Sequence, residues 1–373
     1  MNHQPELNPS LHITRWPESN SASECPAQGV FSVIECLYKS EYSPIMAADT
    51  SVRQRAVIGN VNDDFWVYDS EKGFDLTRPS PPTALSKPGA ITLQTTTSPA
   101  TIDPAISALV IIDMQNFFLS TALGRPADSK GLKCQNALLE HAIPAARKAG
   151  IQIVWLNWGL SDEDLERLPP GVFRAFGFST MAADDFAKSY SSPAGPGEDF
   201  SVANTLCTND LGKDSRTYKG LGQPLGDVTL SNGSTIPAGR TLMRDQWNSE
   251  LSPPLQESFK ASLTTSKPDV WLHKNRITGL HLPTSSAGAY FRDHGVKTLI
   301  FAGVNTDQCV NGSLTDAYAH GNDIFLLRDG CATTSPGGAH DSVVYNIART
   351  MGFVLDCEGF GRDVEASISK RGS

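Results

Sequence analysis

The sequence predicts an α/β fold: a doubly wound, mainly parallel sheet with helices on both faces, preceded by an N-terminal extension with short β elements. Three observations lead there. Ser107–Met114 (SALVIIDM) and Ile151–Asn157 (IQIVWLN) are continuous apolar runs of strand length. A strand apolar on both faces belongs inside a parallel sheet covered by helices. Between them, Leu132–Ala149 carries helical periodicity and meets a stop at Gly150; two strand–helix steps in succession argue for double winding. Further on, Lys297–Gly330 reads as strand, tight turn, helix and strand, one βαβ crossover.

The elements follow in order. Residues 1–50 are rich in Ser, Pro, Asn and Glu, with one apolar patch at Val30–Tyr38. Arg55–Asn60 and Asp64–Tyr68 are short and β-prone, and Glu71-Lys72-Gly73 is turn chemistry ahead of Phe74-Asp75-Leu76, so a small β appendage is expected. Ser80–Ala105 holds five prolines among many Thr and Ser residues and reads as a linker. The chain is therefore divided into 1–100, extension and linker, and 101–373, the main domain. An insertion of about 80 residues, 160–240, is too long for a plain loop. Within it, Ser179–Tyr190 is expected as a helix and Asp227–Ile236 as a hairpin turning at Asn232-Gly233. The insertion either shapes a substrate mouth or subunit contact, or is a surface elaboration. Val270–Lys274 is the third strand, and Ser286–His294 a helix stopped at Gly295. After the crossover come a helix over Gly338–Met351 and a last strand, Phe353–Leu355.

Composition narrows the function. The 373 residues carry 31 basic against 40 acidic side chains, a net charge of −9, and no basic run, so nucleic acid is not an expected partner. No stretch approaches the ~20 apolar residues of a membrane span. Seven widely spaced cysteines, an odd number, suit a reduced protein better than a disulfide framework. The N-terminus lacks a basic start followed by an apolar stretch. A cytoplasmic protein is expected.

Three candidate residues stand at the carboxyl ends of strands, where open α/β sheets bind ligands. Asp113 ends the first strand, Lys274 ends the third, and Cys309 lies where the crossover turn becomes helix. Each also has an ordinary reading: a cap or turn for the acid, a lysine reaching to water, a buried structural thiol. Together they form a nucleophile machine. The ammonium and the helix N-terminus favour thiolate, and the carboxylate takes the thiol proton. The thiolate then attacks a carbonyl and forms a thioester.

Here the chain resembles the isochorismatase-like cysteine hydrolases, a superfamily that includes nicotinamidases, N-carbamoylsarcosine amidohydrolase, biuret hydrolase and ureidoacrylate amidohydrolase. The matching segments are ALVIIDMQNFF with Asp113, WLHKNRITGL with Lys274 and IFAGVNTDQCVNGSLTDAYAHG with Cys309. The resemblance runs over roughly Ile106–Phe360, interrupted by the insertion. It implies an Asp113–Lys274–Cys309 triad and a cis Val304–Asn305 peptide. That bond would set the Asn305 N–H beside the Cys309 N–H as an oxyanion hole. It also implies Phe118 against the substrate, with core packing as the other reading of that ring, and a homo-oligomer, a dimer or tetramer. Nicotinamidases carry an Asp-x-His metal motif where this chain has Asn157-Trp158-Gly159, so no metal and no cofactor are expected. True isochorismatases lack the cysteine, so Cys309 favours a carbonyl substrate. The segment IVWLNWG is similar to one in ureidoacrylate amidohydrolases, which makes Asn157 and Trp158 candidate substrate contacts and a small amide or ureide the expected substrate. The expected function is hydrolysis of a C–N amide or ureido bond. The alternatives are an isochorismatase-type vinyl-ether hydrolase and a non-catalytic interaction protein. His273 should face away from Lys274 along its strand.

Overall fold

The chain divides into two units, Met1–Val52 and Arg53–Ser373, and the candidate site lies in the second. The computed structural model describes residues 52–84, 86–180, 198–200 and 220–370. The apolar patch Val30–Tyr38 lies outside them.

The second unit opens with a small five-stranded sheet. Its strands are β1 (Arg55–Asn60), β2 (Asp64–Asp69), β3 (Gly73–Asp75), β4 (Ile91–Leu93) and β5 (Ala100–Ile102), in spatial order β1-β2-β3-β5-β4. The expected linker Ser80–Ala105 thus contains two strands, and a boundary at residue 100 falls inside the unit. Its polar, proline-rich composition hides four side chains, Ile91, Leu93, Ala100 and Ile102, that are wholly buried. Thr96 N–H also donates to Val354 O at 2.8 Å. Arg78 joins the small sheet to the main one. Its Nη1 and Nη2 donate to Asp323 at 2.9 and 2.8 Å, and its Nε to Asp64 at 2.6 Å. Trp66 Nε1 donates to the same Asp323 at 2.7 Å.

The main sheet follows with β6 (Ser107–Ile112) and β7 (Gln152–Trp158). Two short pairs, β8 (Phe178–Thr180) with β9 (Glu198–Phe200) and β10 (Asp227–Thr229) with β11 (Thr235–Pro237), belong to the insertion. The helix expected over Ser179–Tyr190 begins instead in β8, and its remainder lies outside the described residues. The hairpin at Asn232-Gly233 is β10–β11, with Gly233 at φ 82°. The main sheet resumes with β12 (Val270–Lys274), β13 (Thr298–Val304), β14 (Asp323–Ala332) and β15 (Phe353–Leu355).

These six strands run in the order β12-β7-β6-β13-β14-β15, and every neighbouring pair is parallel. Winding starts at β6, moves outward through β7 to β12, then returns to the other side of β6 and moves outward again. The order therefore reverses between β6 and β13, and the crevice at that switch point is where such sheets hold ligands. One face, with Leu109, Ile111, Ile153, Trp155, Ile300 and Phe325, packs under the helical run from Lys130 to Ala149 and under helices Pro253–Ser262 and Cys357–Ser369. The other, with Val110, Ile112, Val154, Leu156, Leu299 and Phe301, packs under Ser286–Asp293, Asn311–Ala319 and Ala339–Asn346. Burial on both faces explains the uninterrupted apolar runs. Among the described residues no helix is long and apolar enough to cross a membrane.

Gly303 lets the two switch-point strands meet. It pairs with Ile112 across β13 and β6. Its φ is +114°, and a Cβ there would lie 2.0 Å from Ile112 O, so no side chain fits.

Candidate active site

Beyond Ile112 the backbone turns sharply. Asp113 has φ 53°, a left-handed conformation uncommon outside glycine but tolerated by Asp. Its side chain is fully buried. Oδ1 accepts the Trp158 backbone N–H at 3.0 Å, and Oδ2 lies 2.9 Å from Lys274 Nζ. Lys274, the last residue of β12, must reach past β7 to make this pair, because β7 separates β12 from β6. Trp158, its register partner on β7, fills the space between. The ammonium lies 4.0 Å from the centre of the Trp158 ring, within cation–π range.

Cys309 arrives from the other side. The backbone leaves β13 through a cis Val304–Asn305 peptide, as the resemblance implied, and enters a wide helical turn, Thr306–Val310, before the helix Asn311–Ala319. Cys309 is buried in that turn, and its Sγ lies 3.4 Å from Lys274 Nζ. One ammonium thus touches both the carboxylate and the sulfur. Its remaining partners are the carbonyls of Arg276 at 3.1 Å and Ile277 at 3.3 Å.

Burial dominates the electrostatics. It pushes the Asp113 carboxyl above its usual range, against the Lys274 charge and the hydrogen bonds to the carboxylate. It pushes the Cys309 thiol up to about 12. The Lys274 ammonium and the Trp158 side chain favour ionised sulfur, while the Asp113 charge opposes it. The ammonium favours the thiolate, as expected, and burial opposes it. Desolvation is the largest of these influences. The Trp158 indole N–H is buried and has no hydrogen-bond partner.

The other expected residues divide. Trp158 lies against Lys274 and Asp113. Phe118 is half-buried and packs edge-on against Phe117 at 5.0 Å, and Phe117 and Trp158 both meet Phe176, at 6.3 and 5.1 Å. An aromatic row thus leads from Phe118 to the ring beneath Lys274. Asn157 stands apart. Alternation along β7 turns it toward the face of Ile153 and Trp155, away from Trp158. It is fully buried there, and neither of its side-chain polar atoms has a hydrogen-bond partner. His273 shares that face, with Nδ1 3.4 Å from Trp271 Nε1. Sequence reasoning missed Phe176, at the end of the insertion helix Pro170–Phe176; no pattern links that position to β7. Among the described residues no three His, Cys, Asp or Glu side chains gather to hold a metal.

Comparison with known proteins finds the following similarities. The isochorismatase domain model matches residues 236–358, a span that contains Lys274 and Cys309. Ureidoacrylate amidohydrolase of Caulobacter segnis is 26% identical over 286 residues, covering 75% of this chain and 95% of that protein. The enzyme of the same name from Caulobacter vibrioides is 25% identical, with the same coverage. Among solved structures, nicotinamidase from Bacillus subtilis is 14% identical, with a TM-score of 0.42, covering 67% of this chain and 98% of that one. The domain match, together with the similarity to the amidohydrolases over three quarters of its length, makes the chain similar to isochorismatase-like proteins.

Proposed function

We propose that the chain is a cysteine-dependent hydrolase of a C–N amide or ureido bond in a small molecule, with Cys309 as nucleophile, Asp113 as general base and acid, and Lys274 as the fixed cation. The observation that carries this reading is the single buried ammonium, 2.9 Å from Asp113 and 3.4 Å from Cys309. The named activity of the relatives, ureidoacrylate amidohydrolase, supports the bond type.

The thiol passes its proton to Asp113 and the sulfur bonds to the carbonyl carbon, giving a tetrahedral oxyanion. Backbone N–H groups of Asn305 and Cys309 hold that charge. Collapse breaks the C–N bond, and Asp113 returns its proton to the leaving nitrogen. Water, deprotonated by Asp113, attacks the thioester and the thiol is released with its proton. Asp113 thus cycles through one proton twice. Lys274 balances the negative charge whether it sits on oxygen or on sulfur. Phe118 and Trp158 line the approach. No step calls for a metal or cofactor. The same reading makes the protein a cytoplasmic homo-oligomer; free thiols at Cys134, Cys309, Cys331 and Cys357 are in keeping with a reducing compartment.

Ammonia release over a panel of small amides and ureides, with ureidoacrylate first, tests the reading. Wild type should turn over at least one member, and Cys309→Ala should lose at least 10³-fold. Full activity in Cys309→Ala removes the nucleophile. Isochorismate cleaved equally by both proteins would favour vinyl-ether chemistry instead.

A further inference from the structure

Lys274 works only if its ammonium stays where it touches both partners. An ammonium has three donors. Two of them are taken by the Arg276 and Ile277 carbonyls, which leaves the third for the Cys309 sulfur, with the Asp113 carboxylate beside it as ion-pair partner. The turn that follows β12 therefore aims the charge. That turn is anchored from outside. Asn275 Nδ2 donates to Asp164 Oδ1 at 2.6 Å. Asp164 lies in the helix Asp162–Arg167 of the insertion, on none of the three triad strands.

The other oxygen of Asp164 does separate work. Oδ2 accepts from Ser161 N and Oγ at 2.9 and 3.0 Å, which closes the helix cap. Arg244, from the far side of the insertion, brings Nη2 to 3.5 Å of Oδ2 and donates Nε to Gly159 O at 2.8 Å. Gly159 N–H in turn donates to Lys274 O at 3.2 Å. One carboxylate thus joins the insertion helix, the Arg244 segment that follows the insertion and the turn beneath the ammonium.

We propose that Asp164 is a positioning residue for Lys274, acting through Asn275 and the carbonyls of Arg276 and Ile277. This rests on reading Lys274 as the cation of the triad. Without the anchor the two carbonyls move off the ammonium, the charge swings away from the sulfur, and Cys309 ionises less readily. The insertion then tunes the nucleophile rather than merely decorating the fold.

The test follows the rate of Cys309 alkylation by iodoacetamide against pH, read on the Cys309 peptide by mass spectrometry. It needs no substrate, so it stands even if no amide is hydrolysed. Asp164→Ala and Asn275→Asp should move the profile about one pH unit upward, a roughly tenfold loss of rate at pH 8. Ser161→Ala removes the cap but not the anchor, and should leave the profile in place. The exchange Asp164→Asn with Asn275→Asp restores a donor facing an acceptor and should return the profile to wild type. An unmoved profile in a folded Asp164→Ala protein overturns the proposal. An equal shift in Ser161→Ala also overturns it, because helix capping would then be the whole effect. Should Asp164→Ala fail to fold, Asn275→Asp and the exchange pair decide.

Discussion

Replacing Lys274 by methionine keeps the length of the side chain and removes its charge. The consequence follows from two distances. At an effective dielectric of about 20, unit charges 2.9 Å apart interact by about 6 kcal/mol and charges 3.4 Å apart by about 5 kcal/mol. The ammonium thus supports one negative charge on Asp113 or on Cys309 almost equally, and proton transfer between them is close to even in this respect. In Lys274→Met both positions lose that support. Carboxyl and thiol then both stay protonated at pH 7, and the site has no base. Five kcal/mol corresponds to a loss of about 10³–10⁴ in rate. The same change alters stability in a pH-dependent way. Burial already raises the Asp113 carboxyl in the fold, and the loss of Lys274 raises it further. A carboxyl raised above its unfolded value, about 3.9, contributes its stability fully below that value and loses it as pH rises through the folded one. Lys274→Met should therefore lie close to wild type in urea unfolding at pH 4 and fall about 3–5 kcal/mol below it at pH 8. Cys309 alkylation and ammonia release at pH 7 measure the first effect, and urea titrations at the two pH values the second. Alkylation within tenfold of wild type, or an unfolding gap independent of pH, would show that the ammonium does not organise the site.

Other changes have separate expected outcomes. Asp113→Asn should slow ammonia release by about 10²–10⁴-fold, the scale of a positioned proton-transfer group, while thermal unfolding still reports a folded protein. Trp158→Phe keeps the ring beneath the ammonium but removes an N–H that has no partner in the resting site; its melting temperature should stay near wild type while Cys309 alkylation slows. Gly303→Ala places a methyl 2.0 Å from Ile112 O at φ +114° and should cost more than about 3 kcal/mol in chemical denaturation, beyond the usual range for a point change. Arg78→Met leaves Asp323 buried without its cation, an expected loss of about 3–5 kcal/mol.

Much of this molecule was legible because burial on both faces of a parallel strand writes itself as an unbroken apolar run. SALVIIDM and VWLHK each carry an ionisable residue at or next to their last position, and strand ends are where open α/β sheets hold ligands. Asp113 and Lys274 stood out in that way, Cys309 stood out where the crossover turn becomes helix, and the cis peptide followed from the resemblance. Effects that depend on surroundings were not legible. The Cys309 thiol is pushed up, not down, because the depth of burial is a property of the packed fold and not of the residues beside it. Ile91-Thr92-Leu93 looked like linker because three residues carry too little periodicity to stand out among prolines. Asn157 and Trp158 looked equivalent in IVWLNWG, although alternation along a strand sends neighbours to opposite faces. Asp164 drew no attention in the sequence, because its partner Asn275 is brought beside it only when more than a hundred residues return to the same place.

The most direct measurement is intact-protein mass spectrometry during turnover of ureidoacrylate or of whichever amide is hydrolysed, quenched in acid and mapped by peptide. An acyl adduct on Cys309 that is released by hydroxylamine and absent from Cys309→Ala is the expected result. Turnover with no adduct on Cys309, continuing when the sulfur is removed, contradicts the account at its centre.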